Sequence, residues 1–566
     1  MDNLKLLKSL YPFIKPYCRQ LILAGLILPI SSATYSVQPI ILQQAIDGPV
    51  KEGRLEGLWF YVLLLLGIVA INFLFQVLQF FIMNKVGQSM VANVRYSLFE
   101  HLESLSMSFF DRNPVGKSVS RMTSDMEQLA ESFVGGLVLI LLDVFNILGI
   151  LIFMFYLNWN LSLIISVFLI PIYLVTIHYQ KIFRDSNLRA REELSKLNSF
   201  LQQNVIGISV VQALNSTAKS MEKFAKNNRK YFHANDSAIK ADAQLSATIE
   251  MISILAILAL IFISSKLISA MVLTLGVILA FVQYSQSLFE PIRNLSDRFT
   301  VIQSAFTAIE RMQELLDEPI EISDRHCEEE RRSNLMHNQK PSTRLLRSAR
   351  NDDEHLIQFK NVQFKYDDGP KVLDDVSFDV ERGKKIAIVG KTGSGKSTII
   401  KLLTRLYEVN QGSIILEGKK IKETPQAELR TKVAVIHQDS YIFAGDLESN
   451  IKLGRDESKL DMDLARKFLE LAPGLSQLRD LQSASRISAG EEQVINFARA
   501  LVARPEILVL DEATAKIDLE TEQAIYKLLN EYIEGKTLIT IAHRMQTIEN
   551  ADQVYELSDG KITLKS

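Results

Sequence analysis

Two shortages in this chain of 566 residues each exclude a class of protein. There are only two cysteines, Cys18 and Cys327, which are too few for a disulfide framework or a cysteine-based metal site. Positive charge is not in excess, because 63 Lys and Arg face 65 Asp and Glu, and the formal net charge is -2. A nucleic-acid partner, which requires a basic surface, is therefore not expected.

Apolar residues are abundant but unevenly distributed along the chain. They make up 48% of the sequence, which excludes disorder for most of it, and the length allows two or three domains. Several apolar runs of about 18 residues or more lie in the first part of the chain. The last part has the mixed charge and short apolar runs of an α/β domain. We therefore predict a membrane domain over residues 1–315, a charged linker over 316–355 and an α/β domain over 356–566.

Six apolar segments have about the length that crosses a bilayer as a helix. They are residues 21–41, 58–82, 134–157, 161–177, 252–268 and 270–288. Removal of the first segment as a secretory signal is not expected, because Pro29 interrupts it and no small-residue cleavage site follows. The sequence predicts an α-helical domain with six spans.

Basic residues are concentrated in the two long loops that follow spans two and four, whereas the first loop carries only Lys51 and Arg54. The positive-inside rule then places both termini, both long loops and the C-terminal domain in the cytoplasm. We expect a multi-pass protein of the cytoplasmic (inner) membrane of a bacterium. The long loops have helical periodicity, for example over residues 189–204, so we expect the spanning helices to continue below the membrane.

A few polar residues lie within the predicted spans. They are Asp143 in span three and the glutamines Gln76, Gln79, Gln283 and Gln286. An ionisable group in a span often marks a substrate or proton path, which makes Asp143 the first candidate for a substrate contact. A carboxylate at the wall of a water-filled cavity, or in a contact between helices, is the alternative.

The segment 321–355 is rich in both charges and lacks apolar periodicity. It is typical of a solvated connection, and it resembles the translated repeat-element insertions of some bacterial genomes. Cys327 with His326 or His337 is not expected to bind a metal, because neighbouring side chains do not readily converge on one ion.

A short apolar strand, residues 384–389, leads into a glycine-rich loop and then an apolar helix. This strand, loop and helix form the phosphate-binding motif of nucleotide-hydrolysing enzymes. The loop consists of Gly390, Lys391, Thr392, Gly393, Ser394, Gly395, Lys396, Ser397 and Thr398. Backbone N–H groups of such a loop bind phosphate oxygens, Lys396 adds a positive charge, and Ser397 offers a hydroxyl to Mg²⁺.

A second buried strand, residues 507–511, ends in the carboxylates Asp511 and Glu512. An acid at such a strand end holds Mg²⁺ in enzymes with a phosphate-binding loop, which is the role we assign to Asp511. The adjacent Glu512 is placed to act as the general base that activates the attacking water. The C-terminal domain is thus predicted to be an α/β ATPase that uses ATP and Mg²⁺.

With this phosphate loop and this acidic strand end, the C-terminal domain resembles an ATP-binding cassette. The whole chain resembles an ABC exporter half-transporter with six spans and one cassette. The resemblance implies four further site residues. Tyr366 would stack on adenine, Gln438 would sense Mg²⁺, His543 would contact the γ-phosphate, and Asp518 would couple two sites across a dimer.

The membrane half carries the same resemblance. The sequence 108–111 (Ser-Phe-Phe-Asp), with Gly116, Arg121 and Asp125, matches the first coupling-helix region of the family, and residues 207–211 match its second intracellular helix. Variants around Asn450 and Asp518 are most similar to the second half of paired multidrug-type transporters.

The sequence departs from the family pattern in the loop that closes over the partner's nucleotide. That pattern is Leu-Ser-Gly-Gly-Gln, and here it is Ile487-Ser488-Ala489-Gly490-Glu491. Ser488 and Gly490, which would meet the γ-phosphate, are present. The charge of Glu491 near phosphate would cost about 1 kcal/mol unless it is solvated or paired.

Two stretches are shorter than in the family: the segment between Leu471 and Ile487, and the end of the chain after Gly560. The phosphate chemistry is retained in the sequence, whereas communication with the membrane domain is in question. A non-catalytic partner subunit and a decaying gene copy are the alternatives that these departures leave open.

Our leading hypothesis is ATP-driven export of a hydrophobic or amphipathic compound (a drug, lipid or peptide) by a dimer of two such halves. A homodimeric lipid flippase and a heterodimeric drug or peptide exporter both fit. A soluble ABC ATPase is disfavoured by the six spans, and an importer by the fusion of the two domains. The sequence does not identify the compound.

Overall fold

The structure is a computed structural model, and it describes the chain except for residues 1–2, 54, 133–135, 137–138, 270–272, 323–354, 368, 439–440, 473–474, 476–486, 513–518, 542–550 and 566. It divides into two compact units. The first consists of Met1–Glu103 and Gly116–Glu318, and the second of Ser104–Val115 and Pro319–Ser566.

The described part of the chain up to residue 316 is helical. In chain order the helices are α1 (Asn3–Ile14), α2 (Cys18–Ala45), α3 (Leu55–Ser104), α4 (Met107–Arg112), α5 (Val115–Met122), α6 (Ser124–Glu131), α7 (Leu139–Leu157), α8 (Trp159–Ile206), α9 (Ile208–Ala213), α10 (Thr217–Ser269) and α11 (Leu275–Leu316). A 3₁₀ turn, Lys15–Tyr17, precedes α2, and a π-helical turn, Ile46–Val50, follows it.

Five helices of the described ranges are long and apolar enough to cross a membrane. They are Leu10–Val50, Gly57–Ser104, Leu139–Leu157, Trp159–Ile206 and Thr217–Ser264. They contain predicted spans one, two and four, and they cover positions 139–157 of span three and 252–264 of span five. Of the sixth predicted span, 270–288, residues 270–272 lie outside the described residues, and positions 275–288 belong to α11.

Three helices continue well past the ends of the predicted spans. Helices α3, α8 and α10 contain 50, 48 and 53 residues. A helix rises about 1.5 Å per residue, so each is more than twice as long as the roughly 30 Å hydrocarbon core of a bilayer.

The first unit is held together by an apolar core and a few buried hydrogen bonds. The core lies between α7, α8, α10 and α11 and contains large side chains such as Phe281 and Met154. Helices α2 and α11 are joined by two hydrogen bonds, one from the Tyr284 hydroxyl to the Ser36 carbonyl (2.5 Å) and one from the Tyr35 hydroxyl to Ser287 Oγ (3.0 Å). In a medium without water such bonds satisfy groups that have no other partner.

The second unit contains two sheets. The first is antiparallel, in the order β2-β1-β4-β5, with strands β1 (His355–Lys365), β2 (Lys371–Glu381), β4 (Gln411–Leu416) and β5 (Lys419–Lys420). The second has the order β10-β9-β3-β8-β7-β6, with strands β3 (Lys385–Val389), β6 (Val433–Ile436), β7 (Ile507–Asp511), β8 (Thr537–Ile541), β9 (Gln553–Ser558) and β10 (Lys561–Leu564). All neighbours in the second sheet are parallel except β9 and β10.

Helices alternate with the parallel strands, as an α/β domain requires. They are α12 (Lys396–Leu403), α13 (Gln426–Lys432), α14 (Leu447–Lys452), α15 (Met462–Leu469), α16 (Ala489–Leu501) and α17 (Leu519–Ile533). The apolar strands β3, β7 and β8 are buried on both faces between two apolar clusters, which fits their nearly continuous apolar sequences. The predicted fold class, a helical membrane domain with an α/β ATPase domain, is confirmed.

Candidate functional site

The strand order of the parallel sheet brings the two predicted phosphate motifs to one edge. Strand β8 pairs with β3 on one side and with β7 on the other. Carboxyl ends of parallel strands lie at the same edge of a sheet, which is where α/β proteins bind nucleotides. Gly390 follows β3, and Asp511 ends β7, so residues more than 100 positions apart meet there.

Two glycines shape the phosphate loop. At Gly390 a Cβ atom would lie 2.2 Å from the carbonyl oxygen of Leu557, so no larger residue fits without moving the backbone. Gly395 has φ +103°, in the left-handed region, and begins α12. Glycine is the residue that adopts this conformation without strain. The loop therefore leads directly into the N-terminus of α12, where free backbone N–H groups can bind an anion.

Lys396 lies inside this loop. Its side chain is buried, and Nζ donates hydrogen bonds to the carbonyl oxygens of Gly390 (2.8 Å) and Lys391 (2.9 Å). Burial lowers the pKa of Lys396, while the carboxylates of Glu512 and Asp511 act in the opposite direction. The ammonium group is thus fixed in position beside two acids.

Ser397 and Asp511 form the oxygen pair that the sequence predicts. Burial raises the pKa of Asp511 and Glu512 raises it further, while Lys396 and the hydrogen bond from the Ser397 side chain lower it. A hydroxyl and a carboxylate are the hard oxygen ligands that suit Mg²⁺, which normally takes one or two carboxylates together with phosphate oxygens. The described residues contain no group of three or more acidic, His or Cys side chains that could hold a metal by themselves. The donor set therefore fits a nucleotide-bound Mg²⁺.

Glu512 has an unusual backbone conformation. Its φ is +48°, in the left-handed region, where non-glycine residues are uncommon. Its N–H donates to the carbonyl of Ile541 at 3.4 Å, at the end of the neighbouring strand β8. Such strained residues persist where the surrounding structure enforces them, often at functional sites. The conformation turns the chain at the sheet edge directly after Asp511.

Tyr366 belongs to an aromatic cluster beside the phosphate loop. Its hydroxyl lies 3.0 Å from Thr398 Oγ1, which connects it to the start of α12. Its ring meets the ring of Tyr407 edge to face, at 5.1 Å between centroids. Lys401 Nζ lies over both rings, 5.3 Å from the centroid of Tyr366 and 5.5 Å from that of Tyr407. The structure thus places the predicted adenine-stacking residue next to the phosphate loop.

The segment 104–115 belongs to the same compact unit and contacts this cluster. The Tyr407 hydroxyl donates a hydrogen bond to the Asp111 carboxylate, and Lys401 Nζ lies 3.9 Å from it. The side chains of Ser106 and Ser108 donate to Glu321 at 2.8 and 2.7 Å. The hydrogen bond from Ser108 is the main reason that the pKa of Glu321 is lowered. The sequence analysis did not identify Tyr407 or Lys401. Nothing in the sequence around these two residues indicates that they contact Asp111, which is 296 positions away from Tyr407.

The carbonyl of His437, directly before Gln438, is held by two buried polar side chains of α16. Gln493 Nε2 donates to it at 3.2 Å, and Asn496 Nδ2 at 3.3 Å. Gln438 is exposed at the end of β6. The sequence analysis did not single out Gln493 and Asn496, although polar residues amid an apolar helix face are the signal that could have found them.

Glu491 in the signature loop caps a helix. Ser488 is the N-cap of α16, and Glu491 Oε2 accepts hydrogen bonds from Ser488 N (2.8 Å) and Ser488 Oγ (2.9 Å). Glu491 N in turn donates to Ser488 Oγ at 3.2 Å, which completes a capping box. The charge of Glu491 is therefore hydrogen-bonded and favourably placed at the positive end of a helix. These hydrogen bonds to Ser488 are the kind of pairing that would offset the expected cost of a negative charge near phosphate.

The structure does not bring all predicted site residues together. Ser488, which is expected to meet a nucleotide held by a second cassette, forms side-chain hydrogen bonds with Glu491 in the described part of this chain. Asp518 and His543 lie outside the described residues, as does most of the stretch between Leu471 and Ile487. Asp143, in α7, forms an ion pair with Arg298 of α11 at 3.7 Å.

Comparison with protein families gives two matches. The family described as the ABC transporter transmembrane region matches residues 21–292, and the one described as ABC transporter matches residues 373–515. The second match includes the phosphate loop, the signature loop and Asp511. The first includes α3 to α10 and positions 21–45 of α2.

Several known proteins are similar over nearly the whole chain. An uncharacterized ABC transporter ATP-binding protein of Bacillus subtilis, YknV, is 32% identical over 98% of this chain and 90% of its own length. The probable multidrug resistance ABC transporter ATP-binding/permease protein YheH of the same organism is 30% identical, over 94% of this chain and 77% of its own. An ATP-dependent lipid A-core flippase of Haemophilus influenzae is 29% identical, over 99% and 94%.

Proposed function

Since this chain belongs to the ABC transporter family, with transmembrane and ATP-binding regions in one polypeptide, we propose that it is one half of a dimeric exporter. The chain is a multi-pass membrane protein and an ATPase coupled to transport. We assign the membrane domain to residues 1–315, the linker to 316–355 and the cassette to 356–566. By the distribution of basic residues, the cassette and both termini lie in the cytoplasm.

The observation that carries this function is the grouping of four side chains at one sheet edge. Lys396 and Ser397 begin α12, Asp511 ends β7 and Glu512 follows it. The four groups interact with one another. Lys396 provides a fixed positive charge for the β- and γ-phosphates of ATP. Glu512 orients and deprotonates the attacking water. Phosphoryl transfer depends mostly on such positioning and charge stabilisation.

Ser397 and Asp511, with Gln438 at the end of β6, are the residues that would hold Mg²⁺. When bound with ATP, the ion would neutralise part of the phosphate charge. The hydrogen bond between the side chains of Ser397 and Asp511 keeps the two oxygens close together. Tyr366 would support the adenine, held by Thr398 and Tyr407.

The remaining site residues act across the dimer in this proposal. Ser488 and Gly490 of one half would close on the nucleotide held by the other half. Asp518 would couple the two sites, and His543 would contact the γ-phosphate. Two closed cassettes favour one membrane-domain state and two separated cassettes favour another, so ATP binding shifts the population between them.

The substrate class follows from the membrane domain and from the names of the similar proteins. A probable multidrug resistance protein and a lipid A-core flippase both share this architecture. We infer that the transported compound is hydrophobic or amphipathic. Such a compound enters a cavity within apolar helices without losing its hydrocarbon contacts.

The test is ATP hydrolysis by the purified chain in lipid vesicles, compared with Glu512→Gln. Loss of the general base should lower the rate at least 100-fold, whereas Glu531→Gln, an exposed change on α17, should not alter it. Hydrolysis by the Glu512 variant at the unaltered rate would remove the general-base assignment. Activity that appears only with a second, different cassette subunit would identify the dimer as a heterodimer.

A further inference from the structure

An ion pair lies within the apolar helices of the first unit. Asp143 is the only acidic or basic residue of α7, whose other residues are almost all apolar. Arg298 Nε, on α11, lies 3.7 Å from Asp143 Oδ2. Ionised side chains are costly inside a bilayer, and those that occur face a cavity or the bundle interior and are commonly functional.

The pair is not sealed from its surroundings. The side chain of Asp143 is 19% exposed and that of Arg298 is 25% exposed. Asp143 Oδ2 is nevertheless buried, and its contact with Arg298, at 3.7 Å, is longer than an ordinary hydrogen bond. A carboxylate oxygen in such a long contact can gain a closer partner from a ligand.

The depth of Asp143 in the membrane agrees with entry of a compound from the inner leaflet. Asp143 precedes the end of α7 at Leu157 by 14 positions, which is about 21 Å along the helix. In the proposed topology Leu157 is at the outer surface, so Asp143 lies in the half of the membrane that faces the cytoplasm. Arg298 is close enough to the inner surface for its long side chain to reach water.

The surrounding charge favours a cation. The carboxylate of Glu290, on α11, acts electrostatically on Asp143 together with Arg298. The described side chains of this cluster are therefore two acids, Asp143 and Glu290, and one base, Arg298.

We propose that Asp143, with Glu290, binds the positively charged head of an amphipathic compound, and that the compound replaces Arg298 as the counter-ion of Asp143. The Arg298 side chain then turns toward the inner aqueous surface. The apolar walls of α7 and α11 receive the hydrocarbon part. This inference rests on the proposed export function and specifies its substrate as a lipophilic cation.

The experiment uses two probes of nearly the same shape and opposite charge, tetraphenylphosphonium and tetraphenylborate. ATP hydrolysis by the purified transporter in nanodiscs is measured against the concentration of each, and binding of each is measured directly by equilibrium dialysis. Tetraphenylphosphonium should bind and stimulate hydrolysis, while tetraphenylborate should do neither at the same concentrations.

Two variants at Asp143 separate charge from packing. Asp143→Asn should raise the dissociation constant for tetraphenylphosphonium about tenfold or more, since a charge contact shielded from water is lost. Asp143→Glu, which keeps the charge, should restore binding to within a few-fold. Arg298→Gln, which removes the competing cation, should tighten it. Asp236→Asn, in an exposed ion pair with Lys240 on α10, is the matched control and should leave binding unaltered.

The outcomes that would overturn the inference are specific. Unaltered cation binding in Asp143→Asn, or equal binding of both probes, would show that the pair only holds α7 against α11. Stimulation by tetraphenylborate or a neutral amphipath alone would reject the cation and leave export intact. Absence of any hydrolysis in the unmodified transporter, with either probe, would instead contradict the proposed function itself.

Discussion

The hydroxyl of Tyr407 donates a hydrogen bond to the carboxylate of Asp111, although 296 positions separate the two residues in the sequence. Asp111 ends the sequence Ser-Phe-Phe-Asp of α4, and Tyr407 follows α12, the helix that begins at the phosphate loop. The ring of Tyr407 contacts that of Tyr366. The segment 104–115 is thus connected through one aromatic side chain to the residue proposed to support adenine.

A double-mutant cycle tests this connection. Burial and the Asp111 carboxylate raise the pKa of Tyr407, so its hydroxyl remains a donor at the pH of an assay. We expect Tyr407→Phe and Asp111→Ala each to lower the stability of the second unit, and the double variant to lower it no further. A hydrogen bond to a charged group contributes about 1.5–3 kcal/mol, or several degrees of unfolding temperature.

The measurement is thermal unfolding of the purified transporter, with Tyr441→Phe as the control. Tyr441 is exposed, and removal of its hydroxyl should not change the unfolding temperature. Strictly additive effects of the Tyr407 and Asp111 changes would show that the two side chains contribute independently.

A second prediction concerns the capping box of α16. Glutamine accepts and completes the same hydrogen bonds as glutamate in this motif, so Glu491→Gln should retain the stability of the cassette to within about 0.5 kcal/mol. Glu491→Ala should lower it by about 1 kcal/mol. Glu492→Ala, in the same helical turn, loses only its interaction with the helix dipole, a few tenths of a kcal/mol. Chemical denaturation of the three variants ranks them, and equal losses for Gln and Ala at position 491 would contradict the cap.

A third prediction concerns the start of α11. Asp47 accepts hydrogen bonds from Thr274 Oγ1 (2.6 Å) and Gly276 N (2.9 Å), and so caps this helix. A Cβ atom on Gly276 would lie 2.6 Å from the carbonyl oxygen of Gln43. Gly276→Ala should therefore destabilise the membrane domain by about 1–3 kcal/mol, as overpacking does.

Heating followed by size-exclusion chromatography in detergent measures the loss. Gly67→Ala provides the control, because a Cβ atom there meets nothing within 4 Å. Equal retention of the folded peak in the two variants would mean that α2 and α11 move apart without cost.

A fourth prediction is a dependence of cassette stability on pH. Hydrogen bonds from Lys432 and Arg382, both at 2.7 Å, lower the pKa of Glu417 below its ordinary value of 4.5. A carboxylate with a lowered pKa in the folded state contributes stability that is complete above the ordinary value. That contribution is lost as the pH falls through the lowered value.

Unfolding temperatures at pH 7 and at pH 4 to 3 check this effect. The unmodified cassette should lose more stability on acidification than Glu417→Gln does. Glu556→Gln, which removes an exposed ion pair with Lys565 at 3.2 Å, should behave like the unmodified chain. An acid response that is the same in Glu417→Gln would assign the pH dependence to other carboxylates.

The sequence was sufficient for the parts of this protein that rest on local patterns. Apolar runs of span length predicted the membrane helices, and the glycines around Lys396 predicted the phosphate loop, because both follow from properties of neighbouring residues. The juxtaposition of Gly390 and Asp511 was also predictable, since an acid at the end of a second strand is a motif in itself. The sequence likewise predicted that α3, α8 and α10 would extend beyond the membrane.

The tertiary structure decided the contacts between distant segments. In the folded chain Asp111 contacts Tyr407, and Asp143 contacts Arg298. No periodicity or spacing in the sequence connects the two residues of either pair. It also changed the interpretation of Glu491 from a charge near phosphate to a helix cap. A hydrogen bond or an ion pair depends on atoms a few ångströms apart, and only the path of the folded chain sets which residues come that close.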